Sequence, residues 1–267
     1  MLSLIKQKIM IKRILKLSIF LLVTMFTFTT FAKSKPQYYE TRVYSFKTAA
    51  QKTVVEDYFK NAAIAAYNRA GIASVGVFDE ADQKDGLKLY VLIPYKSLEE
   101  FGKIGAKLSA DAVYQQAAKP YLDADHTTPA YERFESSLSV AFKDWTTLKV
   151  PTTTAPKSER VYEYRLYESH SEAKGNKKVD MFNEGGEINI FVRLGFNPVF
   201  YAQTIIGGKQ PNLVYMTTFD NKKSRDEHWK AFGADSEWNR IKALPEYDHA
   251  MTKNETHFLT PTEYSQI

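Results

Sequence analysis

The sequence predicts an α+β protein in which one β-α-β-β-α-β unit occurs twice along the chain. The first observation is an alternating pattern, YYETRVYSF at residues 38–46, which returns as VYEYRLYES at residues 161–169. The second is that later matching positions keep a nearly constant offset, as between Gly71 and Gly195. Such constant spacing is typical of a tandem domain duplication. The 235 residues that follow residue 32 suffice for two domains of ordinary size.

The first copy opens with a strand and a helix. Residues 38–46 alternate and are rich in Tyr and Val, which is typical of a strand. Thr48 and Gln51 form a capping box that begins a helix. Apolar residues recur at helical spacing over 55–66, so this helix has one apolar face. Gly71 can adopt the left-handed conformation that ends it.

Two strands, a second helix and a last strand complete the copy. The two strands are predicted to pair across a turn at Asp85-Gly86. Ser97 and Glu100 form a second capping box, and residues 131–142 make the last strand. This order is the ferredoxin-like unit, whose antiparallel sheet carries helices on one face and leaves the other bare.

We therefore expect two tandem ferredoxin-like domains, at residues 38–142 and 160–267. The segment between them, residues 143–159, is rich in Thr and Pro and is predicted to be an extended linker. A bare sheet face must be covered, either by the other domain or by another subunit. A homodimer is one expectation, and the sequence leaves open whether the sheets close within one chain or between chains.

Residues 1–32 have the features of a secretory signal peptide. Five basic residues precede the apolar run at residues 17–32, and Thr30 and Ala32 suit a small-residue cleavage site. We expect cleavage after Ala32 and export to the periplasm or the medium, with no stable membrane anchor left. An uncleaved anchor is the alternative, but the run is short for a span and contains four threonines.

Charge and composition exclude several classes of function. The chain has 36 basic and 31 acidic residues, and removing the five basic residues of the signal peptide leaves 31 of each. A neutral mature protein has no electrostatic footprint for nucleic acid. The chain has no cysteine, which excludes disulfides and thiolate metal ligands. It contains no compact metal-ligand, phosphate-loop or dinucleotide motif, so we predict no metal and no cofactor.

The repeated strand carries Glu, Arg and Tyr on one of its faces, because strand side chains alternate. In the first copy these residues are Glu40, Arg42 and Tyr44. The opposite set is more apolar, so we assign it to the helix side and the Glu-x-Arg-x-Tyr set to the bare face. There each Glu would neutralise its Arg. A structural ion pair that fixes the register is the other interpretation, and we favour it over contact with a ligand.

Several segments resemble the NIPSNAP family. The longest is YESHSEAKGNKKVDMFNEGGEINIFVRLGFNPVFYAQTIIG at residues 167–207, with further likeness in LYVLIPYKSLEEF, AYERFESSL and the terminal TEYSQI. The resemblance spans residues 38–267, in the exported bacterial form with two tandem domains. It implies a dimeric α+β-barrel fold, a barrel made from two ferredoxin-like sheets. The family has no established reaction, so the resemblance assigns no catalytic residue. The wider superfamily includes cofactor-free monooxygenases and haem proteins.

The second copy departs from the first at two places. His170 lies where strand meets helix, between Glu168 and Glu172, although an exposed residue in a capping turn is the more ordinary interpretation. Gly185-Gly186 interrupts the first helix beside Asn183, as expected for a kink or for the close approach of a ligand. Weaker signals come from the remaining histidines, His126, His228, His249 and His257.

Three functions are compatible with these features. The leading hypothesis is an exported barrel protein that binds a small apolar or aromatic molecule. The second is a cofactor-independent oxygenase or isomerase with His170 as base and Arg165 as anion anchor, which requires both to reach one void. The third is a non-catalytic structural or interaction module with a solid barrel. The predicted ligand contacts are Arg42, Tyr44, Arg165, Tyr167, His170, Asn183 and Tyr201.

Overall fold

The computed structural model describes residues 1, 34–83 and 86–267. The predicted signal peptide, apart from its first residue, lies outside the described residues. So does Asp85 of the predicted turn between the second and third strands.

The first repeat has the predicted order of strands and helices. Both predicted helix caps are present, because the Thr48 side chain accepts a hydrogen bond from the Gln51 amide and that of Ser97 accepts one from the Glu100 amide. A π-helical turn at Phe59–Ala63 joins the first two helices. The elements are β1 (Tyr38–Phe46), α1 (Ala49–Tyr58), α2 (Ile64–Arg69), β2 (Gly76–Glu80), β3 (Leu87–Tyr95), α3 (Leu98–Ala110), α4 (Ala112–Ala117), α5 (Lys119–Leu122) and β4 (Arg133–Ala141).

The second repeat follows the same order. Its helices are also capped by side chains, Ser171 accepting from the Lys174 amide and Asn221 from the Ser224 amide. The elements are β5 (Val161–Glu168), α6 (Glu172–Phe182), α7 (Glu187–Arg193), β6 (Pro198–Ile206), β7 (Asn212–Phe219), α8 (Lys222–Ala234), α9 (Ser236–Lys242), a 3₁₀ turn (Pro245–Tyr247) and β8 (Lys253–Pro261).

The eight strands of the described chain form one closed barrel in the order β1-β3-β2-β8-β5-β7-β6-β4. The repeats meet at two antiparallel junctions, where Glu80 of β2 lies opposite Leu259 of β8 and Ser139 of β4 lies opposite Thr204 of β6. Closure pairs the outer strands of each sheet and hides the bare faces inside. The barrel thus closes within one chain, and Lys35–Ile267 forms one compact unit.

The two faces of β1 and β5 lie in the opposite environments to those predicted from the sequence. Tyr44 packs with Val55 in the core beneath the helices of the first repeat. Tyr167 packs with Phe182 beneath the helices of the second. The assignment of the Glu-x-Arg-x-Tyr set to the bare face is therefore wrong, because this set faces the helices. The alternate set fills the barrel interior, which contains Tyr39, Phe78, Leu92, Tyr162, Tyr164, Phe200, Met216 and Leu259.

Charges can be buried on the helix side because the helices supply partners for them. The Glu163 side chain is fully buried and accepts hydrogen bonds from Arg165, Arg225 and Trp229 at 2.7–2.8 Å. Burial alone would raise the pKa of Glu163, but hydrogen bonds from Arg225 and the charge of Arg165 hold it below its usual value. Arg225 and Trp229 lie on α8, 62 and 66 residues further along the chain. The pattern of one strand does not reveal them.

Glu40 occupies the equivalent position in the first repeat. It accepts hydrogen bonds from Arg42 Nε at 2.6 Å, from the Ser136 hydroxyl at 2.8 Å and from the Tyr95 hydroxyl at 2.9 Å. Burial would raise the pKa of this carboxyl as well, but the charge of Arg42 and these hydrogen bonds lower it. In both repeats the contacts are those of a structural ion pair within the helix-covered layer.

We expect replacement of Glu163 to destabilise the protein strongly. Glu163→Ala leaves two arginines without their carboxylate in a buried layer, so the free energy of unfolding should fall by roughly 3–5 kcal/mol. The folded pKa of Glu163 is lowered, so its contribution to stability is present above the unfolded pKa and is lost as pH falls through the folded pKa. Urea unfolding at neutral and acidic pH measures both effects, and the difference from wild type should shrink in acid.

The matched control for this experiment is Glu99→Ala, because Glu99 forms an exposed pair with Lys103 on α3. Exposed pairs contribute little to stability, so this variant should unfold at nearly the wild-type urea concentration. Equal losses for the two variants would show that the Glu163 network does not hold the layer together.

Candidate functional site

One end of the barrel interior holds a cavity of about 630 Å³. It lies where β1 and β5 end, and both repeats form its wall. Val43 and Leu166 line it from equivalent positions of the two repeats, as do Thr41 and Tyr164. A concave site of this volume is the usual size for a small-molecule ligand. Its polar lining includes Thr41, Ser45, Lys88, Ser137, Thr256 and His257.

The other end of the barrel is solid. The rings of Tyr39 and Phe200 pack at a centroid distance of 4.9 Å, and those of Phe78 and Tyr162 at 5.0 Å. All four side chains are fully buried. The chain's last residue, Ile267, packs into the same cluster. The cavity is therefore closed toward that end of the barrel and has polar residues at the β1 and β5 ends.

His257 of β8 faces this cavity and is backed by a buried carboxylate. Its Nδ1 atom lies 2.6 Å from Glu80 Oε1 and 3.0 Å from the Tyr90 hydroxyl. A carboxylate at Nδ1 favours the tautomer that carries its proton there, which leaves Nε2 as a proton acceptor. All hydrogen bonds of His257 to described residues run through Nδ1. The arrangement is that of a general base oriented by a carboxylate.

Glu80 ends β2 and its side chain is 6% exposed. Its Oε2 atom is buried and makes no hydrogen bond within the described chain, although Lys88 Nζ lies 4.0 Å away. The Tyr90 hydroxyl donates to Oε1 at 3.4 Å. The carboxylate is thus held behind His257 at the junction of the two repeats and does not itself line the cavity.

Two tyrosines complete the cavity floor beside His257. The centroids of the Tyr90, Tyr164 and His257 rings lie 5.4–6.3 Å from one another. Burial raises the pKa of both tyrosines, and the charge of Glu80 raises that of Tyr90 further. Both phenols are therefore neutral at physiological pH. The two tyrosines add aromatic surface to the cavity lining.

The site is asymmetric although the barrel is pseudo-symmetric. By the offset between the repeats, the residue of β6 that corresponds to Glu80 of β2 is Thr204. At the junction of β4 with β6, the residue that corresponds to His257 of β8 is Ser137. At that second junction the Thr204 hydroxyl bonds to the Ser139 hydroxyl at 3.2 Å. One barrel therefore contains one carboxylate–histidine pair, with hydroxyl side chains on the opposite wall.

Comparison with known proteins gives a family match for the second repeat. Residues 162–266 match the sequence model of the NIPSNAP family. The chain therefore contains a NIPSNAP domain. Within the site, His257 belongs to this domain and Glu80 comes from the repeat that precedes it. The carboxylate–histidine pair therefore joins the NIPSNAP domain to the repeat before it.

Solved structures with similar folds include two proteins provisionally assigned as monooxygenases. One, from Fusobacterium nucleatum, is 11% identical with a TM-score of 0.54, covering 85% of this chain and 93% of its own. The other, from Lactobacillus acidophilus, is 9% identical with a TM-score of 0.54, covering 85% and 94%. At such identities the likeness establishes the α+β-barrel fold alone.

A NIPSNAP family protein from Agrobacterium tumefaciens is 21% identical, with a TM-score of 0.36, over 45% of this chain and 98% of its own. Among proteins with curated descriptions, none matches this chain.

The residues predicted as ligand contacts do not converge on the cavity. Those of the Glu-x-Arg-x-Tyr strands lie under the helices, where Arg165 donates to the Tyr167 hydroxyl and Tyr44 bonds to Tyr121. His170 is exposed at the end of β5. It does not share a void with Arg165, as the base-and-anchor hypothesis requires, and neither residue lines the cavity. The other predicted contacts that do not line it are Arg42, Tyr44, Tyr167, Asn183 and Tyr201.

The glycine pair of the NIPSNAP domain forms a break between α6 and α7. Gly186 has a φ of 88°, and a Cβ on Gly185 would lie 2.5 Å from the Met181 carbonyl oxygen, so both positions require glycine. Asn183 caps α6 and accepts a hydrogen bond from the Asp144 amide. The break therefore matches the kink interpretation.

The same break places Glu187 beneath the helices beside Lys178. The two are buried and lie 2.8 Å apart. Burial raises the pKa of Glu187, although the Lys178 ammonium works against this. The Tyr201 hydroxyl, predicted as a ligand contact, is buried in the same layer without a hydrogen-bond partner among the described residues.

Glu80 and Tyr90 were not among the residues predicted from the sequence, and His257 was only one of its weaker signals. A usable signal existed, because strand alternation places His257 on the same face as Leu259, an apolar residue of the last strand. The inverted assignment of faces hid it. Nothing local links His257 to Glu80, which lies 177 residues away.

The described residues were also compared with the requirements for a metal site and for a membrane-spanning helix. Among the described residues, no cluster of three or more histidine, aspartate or glutamate side chains is arranged to hold a metal ion. No helix in the part of the chain that the structure describes has the length and hydropathy needed to cross a membrane.

Proposed function

We propose that this protein binds a small molecule with an aromatic or apolar body in the barrel cavity. The observation that carries the proposal is the cavity of about 630 Å³ whose floor holds His257 backed by buried Glu80. A solid structural barrel would have filled this end as it fills the other. A partly buried histidine that is oriented by a buried carboxylate and faces a cavity is typical of a site that handles a ligand.

The lining defines the chemistry of the ligand. Val43, Leu166 and the Tyr164 ring offer apolar and aromatic surface, while hydroxyl side chains such as Ser137 on the opposite wall can bond to ligand oxygens. The buried carboxylate of Glu80 disfavours an anion at the floor. We therefore infer a neutral ligand with an aromatic or aliphatic body and one or two polar groups.

Gly208 offers a direct test, because it lines the mouth and a Cβ there would meet nothing within 4 Å. Gly208→Trp should place an indole in the mouth without disturbing the backbone and weaken binding at least ten-fold. The probe is 2-naphthol, and the measurement is its fluorescence during titration with protein. Gly233→Trp on α8, where a Cβ also meets open space, is the matched control and should bind as the wild type does. Equal binding by both variants would place the ligand elsewhere.

A second candidate function is proton abstraction, as in a cofactor-independent oxygenase or isomerase. The free Nε2 of His257, with Glu80 at Nδ1, supports it, and the fold neighbours assigned provisionally as monooxygenases agree with it. His257 would take a proton from carbon or oxygen of the ligand. The neutral Tyr164 hydroxyl could donate a hydrogen bond to the oxyanion that forms. His257 thus replaces His170 as the proposed base, because it has the cavity and the carboxylate that His170 lacks.

The probe for this chemistry is 2-tetralone, an aromatic ketone with an acidic C–H group. The wild type should accelerate its exchange of hydrogen for deuterium in D₂O, followed by NMR, by about 10²–10⁴ over buffer. His257→Ala should abolish the acceleration. Glu80→Gln should reduce it while naphthol still binds, because the histidine loses its orientation. His170→Ala is the control, and exchange that survives in His257→Ala or fails in His170→Ala would overturn the assignment.

We propose, from the sequence, that the protein is exported and that its two repeats are tandem ferredoxin-like domains at residues 38–142 and 160–267, with residues 143–159 as linker. Cleavage after Ala32 gives a mature chain that begins at Lys33. N-terminal sequencing of protein from the periplasm or medium of its own host should read KSKPQ. A retained N-terminal methionine on that protein would contradict cleavage.

A further inference from the structure

The loop between β6 and β7, residues 207–211, lies across the mouth of the cavity. Gly208 and Lys209 line the cavity together with Glu255 of β8. In the barrel order β8 is separated from β7 by β5, so the loop reaches over one whole strand to contact it. On its other side the loop contacts β4. Residues 207–211 are called the strap below.

The strap contacts β4 closely through the backbone of Gly207. A Cβ on Gly207 would lie 2.7 Å from Cβ of Ser137, and the φ of Gly207 is 148°. Both conditions require glycine at this position. The first residue of the strap is therefore packed against β4, on the cavity wall opposite His257.

Side chains next to the strap hold its shape. The Asn212 amide donates to the carbonyl oxygens of Gly208 and Lys209 at 3.0 and 2.9 Å. The Gln210 amide donates to the carbonyl of Gly207 at 3.1 Å. The Asn212 bonds tie the strap to β7, and the Ser169 amide also donates to the Pro211 carbonyl oxygen at 3.0 Å. Opening of the strap is therefore confined to its contact with β8.

The contact with β8 is of a different kind. Lys209 Nζ lies 2.6 Å from Glu255, and both side chains are partly exposed. Glu255 also pairs with Lys253 at 2.6 Å, so it keeps one partner when the strap pair opens. A partly exposed ion pair is weak and sensitive to salt, which suits a contact that must open often.

We propose that the strap is a gate to the cavity and that the Lys209–Glu255 ion pair is its latch. The gate regulates the ligand site and so rests on the proposed function for its purpose. Its movement does not depend on any ligand, and it can be measured without one. The chain has no cysteine, so a single introduced thiol reports access to the cavity.

The experiment uses Val43→Cys, which places a thiol on the cavity wall. Its reaction with methyl methanethiosulfonate is followed by mass spectrometry. Lys209→Met in this background removes the latch and should speed labelling about two- to five-fold, as expected for the loss of a weak ion pair. Raising the salt concentration should speed labelling when Lys209 is present and have little effect in Lys209→Met.

Three controls separate gating from other effects. Lys253→Met removes the other partner of Glu255 and should leave the labelling rate of Val43→Cys unchanged. Lys209→Arg should restore the slow rate. A surface thiol, Lys230→Cys, should react equally fast with and without Lys209, which excludes general unfolding.

If Val43→Cys is labelled at the same rate with and without Lys209→Met, or is not labelled in either protein, the proposal of a gate is wrong. The failure of the proposed function has a different signature. If 2-naphthol does not bind but the latch still controls thiol access, the strap is a gate and the ligand assignment is wrong.

Discussion

Barrel closure through the two inter-repeat junctions is the constraint on which the rest of this structure depends. A four-stranded sheet with helices on one face leaves apolar side chains on the other. Pairing β2 with β8 and β4 with β6 hides both bare faces at once and leaves the outer strands paired. The same pairing brings Glu80 and His257 to 2.6 Å. The cavity and the pairing of Glu80 with His257 are therefore products of closure, and neither repeat has them alone.

Closure also divides the polar residues between two environments. On the helix side, Glu40 and Glu163 are neutralised by arginines and by donors from neighbouring strands and helices, so their charges serve the packing of the layer. Inside the barrel, the Glu80 carboxylate keeps one oxygen without a hydrogen bond in the described chain. A fully satisfied ion pair serves stability, whereas an incompletely satisfied one beside a cavity is typical of a functional site.

The presence of both repeats in one chain explains how a pseudo-symmetric barrel can hold a single site. A barrel made of two identical subunits would place every cavity residue twice, so two histidines and two carboxylates would share one space. In one chain the two repeats can carry different residues, and the positions that correspond to Glu80 and His257 are occupied by Thr204 and Ser137 on the opposite wall. The helical layers differ as well, since the second buries the Lys178–Glu187 pair where the first buries Val55 and Ala63.

The sequence by itself determined the repeat, the order of its elements and its helix caps, because these depend on local patterns: alternation over residues 38–46, the hydroxyls of Thr48 and Ser97, and a constant offset. It also predicted the break at Gly185-Gly186. It did not determine which face of β1 and β5 is inside. That choice depends on partners such as Arg225 and Trp229, which are far away in the chain and make the charged face the covered one. For the same reason only the tertiary structure decided the site, because the pairing of β2 with β8 joins two residues that no local pattern connects.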